Sequence, residues 1–254
     1  MDGPERGAPE ASVLLAPVRR LARRRLAVRS GARILGVGCG PGEDTLTLAD
    51  GVGAGGMVLA ADLDPQALAM TGQRAAAAGL TRRVALLRAD ARALPLASQS
   101  VNAALAARLL VHLADPERAV REIVRVTAPG GRVVLWDAAI ESLCWDTPDA
   151  ALQRRLSELR VAALPGGSVG RSLYRLAREA GLQRVRASVV SLVVTRWALL
   201  RAAAGLDLLE QQAVLAGVAT SGEIAVAEDR MRESDRRGTF FGHGAIVVVA
   251  GERP

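Results

Sequence analysis

The chain contains no lysine, and all 33 of its basic side chains are arginines. Aromatic residues make up only 2% of it, with a single tyrosine, so a core must be built from Ala, Leu and Val. Such a chain also offers few rings on which nucleobases could stack. Cysteine and histidine are scarce as well. Cys39, Cys144, His112 and His243 form neither a metal-ligand pattern nor a disulfide framework, so no metal is expected. No apolar run reaches the ~20 residues of a membrane span. Residues 1–12 are polar, with Pro and Gly, and do not read as a signal peptide. The expectation is a soluble cytoplasmic protein with no membrane partner.

What is present is a globular composition, half apolar and 23% charged, in 254 residues, a length that one α/β domain can use. The formal net charge is +7, and its excess is concentrated. Residues 11–42 carry Arg19, Arg20, Arg23, Arg24, Arg25, Arg29 and Arg33 and no acid. Leu14, Val18 and Leu21 recur there at helical spacing, which predicts an amphipathic helix over about 12–29. Its basic side reads either as a solvated face or as a phosphate-binding surface. Residues 1–11 read as a disordered leader.

Beyond residue 30 the pattern alternates. Short apolar runs at 33–37, 57–61, 84–88, 101–106 and 132–136 predict buried strands separated by helix-length segments. Helices are expected over 65–78, with Pro65 following Asp64, and over 116–127, with Asp115 as N-cap before Pro116. Strand and helix in alternation imply a parallel sheet covered on both faces. Residues 141–170 read as irregular, with Pro148, Pro165 and Gly166-Gly167. A helix over 171–180 then leads to a strand near 185–194. A mostly helical stretch over 196–236 and a last strand over 243–250 complete the chain. Tyr174 reads as a packing residue.

The stretch ARILGVGCGPGEDTL joins the first strand to a helix through Gly38, Gly40 and Gly42. Without Cβ atoms the backbone can turn sharply there and approach a ligand, and the helix start offers free N–H groups. The spacing is GxGxG rather than GxGxxG, which argues against NAD or FAD. Asp62 ends the second strand ~20 residues further on, where a doubly wound fold sets a carboxylate against ribose hydroxyls. A helix-capping role for Asp62 is the alternative, although Asp64 is better placed for it. Asp90 ends the third strand and faces the same crevice.

Taken in order, VGCGPG, AADLDP, RADARALPL, LLVHLADPERAVREIVRV and APGGRVVLWD resemble the class I S-adenosylmethionine (SAM)-dependent methyltransferases. The branch most similar is the small-molecule one, which includes ubiquinone/menaquinone methyltransferases and many natural-product methyltransferases. The similarity is close over about 30–140 and looser over 170–254. It implies an α/β, Rossmann-like, doubly wound sheet of seven strands, mostly parallel with the last antiparallel, plus helical lid elements. Residues 1–254 would form one methyltransferase domain, with a leader and lid helix over 1–30 and a SAM-binding core over 31–140. Residues 141–254 would form a C-terminal half with a helical cap about 196–236.

The resemblance also implies a site. Gly38, Cys39, Gly40 and Gly42 would carry the methionine part of SAM along the loop, and Asp62 would bind the ribose diol. Leu63 would pack on the adenine, Asp90 with Ala91 would receive its amino group, and Ala107 with Arg108 would lie near the sulfonium. Two places depart from the family. The residue at 36 is usually acidic there and is Gly36 here, and SQSVN (98–102) replaces the usual acidic-Gly-Ser-Phe-Asp.

Methyl transfer from a sulfonium is an in-line displacement, so the protein must mainly position the nucleophile and supply a base where one is needed. His112, past the fourth strand, and Asp137, ending the fifth, are the candidate catalytic residues. Their alternative roles are helix packing beside Asp115 and capping of a loop. His243 is expected to point away from the site. The expected function is SAM-dependent methylation of a small-molecule acceptor, giving S-adenosylhomocysteine, with secondary metabolism as the setting. An enzyme of the same fold catalysing a non-methylating reaction such as a cyclisation is the alternative. A nucleic-acid methyltransferase fits poorly, because AARLLVHL stands where that class carries a Pro-Pro-aromatic motif.

Overall fold

In the computed structural model, which describes residues 13–254, the short apolar runs become the strands of one seven-stranded sheet. The leader read over 1–11 lies outside the described residues. Strands β1 (Arg33–Val37), β2 (Met57–Asp62), β3 (Val84–Arg88) and β4 (Val101–Ala107) are followed by β5 (Thr127–Trp145), β6 (Gln183–Val194) and β7 (Gly242–Glu252). Their order across the sheet is β3-β2-β1-β4-β5-β7-β6. All neighbours up to β5 pair in parallel, and β7 runs antiparallel to both β5 and β6. The chain therefore reverses its direction of growth between β1 and β4. In such sheets a ligand crevice opens outside the carboxyl ends of the strands at that point.

The central strands are apolar throughout because both faces are covered. Leu35, Leu59 and Leu135 point into a layer shared with α4 (Pro116–Val126) and α6 (Val169–Glu179). Ile34, Val58 and Trp136 point the other way, onto α1 (Ala16–Leu26) and α2 (Glu43–Gly51). The predicted caps form. Asp64 accepts the Gln66 N–H at 2.8 Å and starts α3 (Pro65–Ala77), while Asp115 accepts the Arg118 N–H at 2.9 Å and starts α4. In each, proline occupies the first turn, where its missing N–H costs nothing. Along α4, Val120, Ile123 and Val124 recur at helical spacing and are buried.

The segment 141–170 is not irregular. β5 continues to Trp145 because β7 pairs with it as far as Trp145–Gly242, and α5 (Ala150–Ala163) follows. The helix-forming run AALQRRLSELRVAA buries Leu152 and Leu156 one turn apart, and the flanking Pro and Gly residues mark its limits. Between β6 and β7 lie α7 (Trp197–Ala204), α8 (Leu206–Leu215) and α9 (Ser221–Arg236). They share an apolar cluster with α5 that includes Leu152, Leu156, Trp197, Met231 and Phe240. Arg201 ties this assembly together, pairing with Asp207, Glu210 and Glu228 while its guanidinium lies 5.6 Å from the Trp197 ring.

Two further expectations change. Tyr174 is 48% exposed, because α6 turns Leu173, Leu176 and Ala177 to the sheet instead. The basic helix α1 is also not simply solvated. Arg19 pairs with Glu43 and Asp44 at the start of α2, and Arg25 donates to Ser188 Oγ at 3.2 Å. Among the described residues no helix is long and apolar enough to cross a membrane.

Candidate functional site

Two hydrogen bonds tie the glycine loop to the end of β2, and a third turns the chain just beyond it. Cys39 N–H donates to Ala61 O at 3.0 Å, Gly40 N–H to Asp62 Oδ2 at 2.8 Å, and Asp64 N–H to Asp62 Oδ1 at 3.0 Å. From α3, the Thr71 hydroxyl donates to Gly40 O at 2.8 Å. Gly38 (φ +67°) and Gly42 (φ +88°) hold the left-handed backbone that side chains disfavour. A Cβ on Gly38 would stand 2.9 Å from Leu109 Cδ1, and one on Gly42 2.8 Å from Thr71 Oγ1. Cys39 supplies a small neutral side chain, since burial pushes its thiol up to about 11.

Each Asp62 oxygen has a second lone pair beyond the one given to the backbone, so the carboxylate can still accept from a ligand. Beside it Leu63 is 60% exposed, an apolar side chain at the crevice rim. Asp90 follows the end of β3, and Ala89 N–H donates to Asp62 O at 3.0 Å, which brings the two acidic positions together. Arg92 grips Asp90 with two guanidinium nitrogens and holds its carboxyl down to about 2. Ala91 is buried. Across the switch point Ala107 ends β4, and Arg108 has φ +53° with its N–H donating to Trp136 O. A left-handed arginine is uncommon, and such strain concentrates at functional positions.

Sequence reasoning missed Asp44. This side chain, in the first turn of α2, lies 3.6 Å from Arg19, and Arg108 is also close enough to lower its pKa. Burial nevertheless raises the Asp44 pKa overall. The signal was present, since GPGED places two acids at a helix start, where the dipole favours them. At Gly36 the structure leaves room, because a Cβ would meet nothing nearer than Thr45 Oγ1 at 3.9 Å.

The two candidate bases differ in exposure. Asp137 is 1% exposed and accepts N–H groups from Val111 and Ala138 at 3.1 Å, which fixes the 3-10 turn Leu110–His112. Burial pushes its carboxyl up to about 6, against the lowering effect of the N–H groups. His112, at the end of that turn, is exposed. His243 lies on β7 with Nε2 3.1 Å from Cys144 Sγ. Among the described residues no group of three or more His, Cys, Asp or Glu could hold a metal. Beyond Arg108, under α7, lies an apolar cavity of about 170 Å³.

Comparison with known proteins follows this geometry. A family model described as a methyltransferase domain matches residues 35–135. The 27-O-demethylrifamycin SV methyltransferase of Amycolatopsis mediterranei is 31% identical over 190 residues, 74% of this chain and 67% of that protein. Among solved structures, the YcgJ protein from Bacillus subtilis superposes with TM-score 0.66 at 19% identity, covering 93% of this chain and 98% of that one. The [4+2]-cyclase SpnF superposes with TM-score 0.58 at 21% identity, covering 93% and 80%. The chain spans 46–64% of the length of the first curated relatives it matches.

Proposed function

The chain belongs to the class I SAM-dependent methyltransferases, and on that premise we propose that it methylates a small-molecule acceptor. The observation that carries this reading is the crevice in which Asp62 both anchors the glycine loop and keeps acceptor capacity at the tip of β2. The residues fit SAM. A loop closed to side chains at Gly38 and Gly42 would follow the methionine part with Cys39 and Gly40. Asp62 would take the ribose hydroxyls, Leu63 would cover the adenine, and Asp90 with Ala91 would meet its amino group. Ala107 and Arg108 would border the sulfonium. When bound, SAM supplies an electrophilic methyl group.

The protein's own part is to hold, orient and keep dry. Residues 31–140 carry the cofactor side of the crevice, while 141–254 with the N-terminal helix enclose the acceptor, all within one methyltransferase domain. Asp137 acts as a positioning residue through the Leu110–His112 turn, and His112 is the side chain free to take a proton at the rim. The acceptor belongs to secondary metabolism and the enzyme to the cytoplasm. The 27-O-demethylrifamycin relative supports that setting by its name alone.

Gly36 favours one second reading, a non-methylating enzyme on this fold, and the structural neighbour SpnF is a [4+2]-cyclase. Incubation with methyl-labelled SAM and a panel of natural-product acceptors decides between them. The methyltransferase reading predicts labelled product and stoichiometric S-adenosylhomocysteine. Conversion with no mass gain and no S-adenosylhomocysteine contradicts it.

A further inference from the structure

The cavity under α7 holds a cation that no acid among the described residues neutralises. Apolar side chains such as Leu15, Ile140, Leu143, Leu200 and Ile246 form most of its wall. Among the described residues, its ionisable lining side chains are Arg108 and Arg160. On α5, Arg160 continues the spacing of Leu152 and Leu156, so a guanidinium stands on the buried face where a third apolar residue would be expected. A smaller void beside Leu156 and Ser157 borders the same side chain.

Two other half-buried arginines of the C-terminal half show the contrast. Arg155, on the same helix, reaches Val218 O and Glu223, and Arg201 gathers three carboxylates. Arg160 has no hydrogen bond or ion pair among the described residues. Burial alone lowers its pKa, yet a guanidinium stays charged in a protein. A half-buried cation without a partner among the described residues is costly to hold on an apolar wall, and an anionic ligand would offset that cost. Its planar fork matches a carboxylate through two parallel hydrogen bonds.

We propose that the acceptor is an apolar molecule bearing a carboxylate, held by Arg160 with its hydrocarbon part against Ile140, Leu143 and Leu200. The inference rests on the methyl-transfer reading for one point. Arg108, which that reading sets near the sulfonium, also lines this cavity, so a molecule anchored at Arg160 extends toward the reacting methyl. About 170 Å³ is well above the roughly 10–15 Å³ that one water needs, but below the ~300 Å³ of a full ligand pocket. The enclosed part is therefore a single ring or a short chain, with the rest of the acceptor directed to the crevice.

Calorimetric titration of octanoate and benzoate, each against its uncharged amide, tests this with and without saturating S-adenosylhomocysteine. The acids should bind wild type at least about tenfold more tightly than the amides, as a charged hydrogen bond implies. In Arg160→Met that preference should fall to about twofold or less. Arg160→Lys should keep part of it, and both variants should bind S-adenosylhomocysteine as wild type does, which shows that they fold. Equal binding of acid and amide, no binding of either acid, or a preference that survives in Arg160→Met overturns the proposal. Failure of wild type to bind S-adenosylhomocysteine would instead strike the methyl-transfer reading, and the cofactor-free titrations would still decide the role of Arg160.

Discussion

Replacing Asp137 with Asn should remove a pH-dependent penalty that wild type carries in the weakly acidic range. An unfolded aspartate titrates near ~3.9. In the fold, burial raises Asp137 to about 6. The native state therefore holds this proton more tightly than the unfolded chain does. Between those two values the contribution of Asp137 to stability falls as pH rises, and above about pH 6 the whole penalty is present. A difference of about two pKa units corresponds to roughly 3 kcal/mol. The Asn side chain keeps an oxygen for the Val111 N–H and carries no charge. Urea unfolding of both proteins from pH 4.5 to 7.5 measures the effect. The variant should gain on wild type by about 2 kcal/mol across that span, most of it below pH 6.5. Comparing the two cancels groups with the opposite trend, such as Asp90 and Glu223, whose lowered pKa values cost stability as pH falls. A stability difference independent of pH, or one that grows toward acid, would refute the reasoning. The same variant separates positioning from base chemistry, since a positioning role predicts turnover within about tenfold of wild type and a base predicts a loss of roughly 100-fold or more.

Gly38→Ala should abolish measurable cofactor binding while the sheet stays folded, because the new methyl meets Leu109 at 2.9 Å in a left-handed backbone; circular dichroism with calorimetry checks both halves. Gly36→Asp should fold, since its Cβ meets nothing nearer than 3.9 Å, and should tighten SAM binding by roughly tenfold or more through a restored charged contact. Unchanged or weaker binding would show that Asp44 or another group already meets the amino end. Arg201→Met should lower stability by about 2–4 kcal/mol, because Glu210 and Glu228 lose a shared, largely buried cation. A shift below ~0.5 kcal/mol in chemical denaturation would refute that role.

Those elements whose causes are local could be read from the sequence. Asp64-Pro65 and Asp115-Pro116 cap their helices through contacts two or three residues away, and RILGV or MVLAA has no other way to bury both faces than as central strands. The glycine loop was legible for the same reason, but the Gly40 N–H bond to Asp62 was not, because it joins the ends of two strands. Helix α5 was not, because Pro148, Pro165 and Gly166-Gly167 obscured a helix whose burial depends on α8 and Trp197. The link from Arg19 to Glu43 and Asp44 joins two helices on the same face of the sheet, and no spacing in the chain announces it. Asp137 read as a candidate base because it ends a strand at the crevice. Its distant partner, the Val111 N–H, appears only once β4 and β5 lie side by side. Arg160 carried no signal at all, since an arginine on a short amphipathic run reads as solvated until its face is known.

The central claim is that the crevice at Asp62 binds the SAM cofactor, and calorimetric titration of S-adenosylhomocysteine into wild type and Asp62→Ala tests it most directly. Wild type should show one saturable site with a dissociation constant on the order of micromolar, and the variant should weaken it by roughly 10- to 100-fold as the carboxylate's hydrogen bonds are lost. No heat of binding with wild type, or equal affinity in the two proteins, would contradict the account.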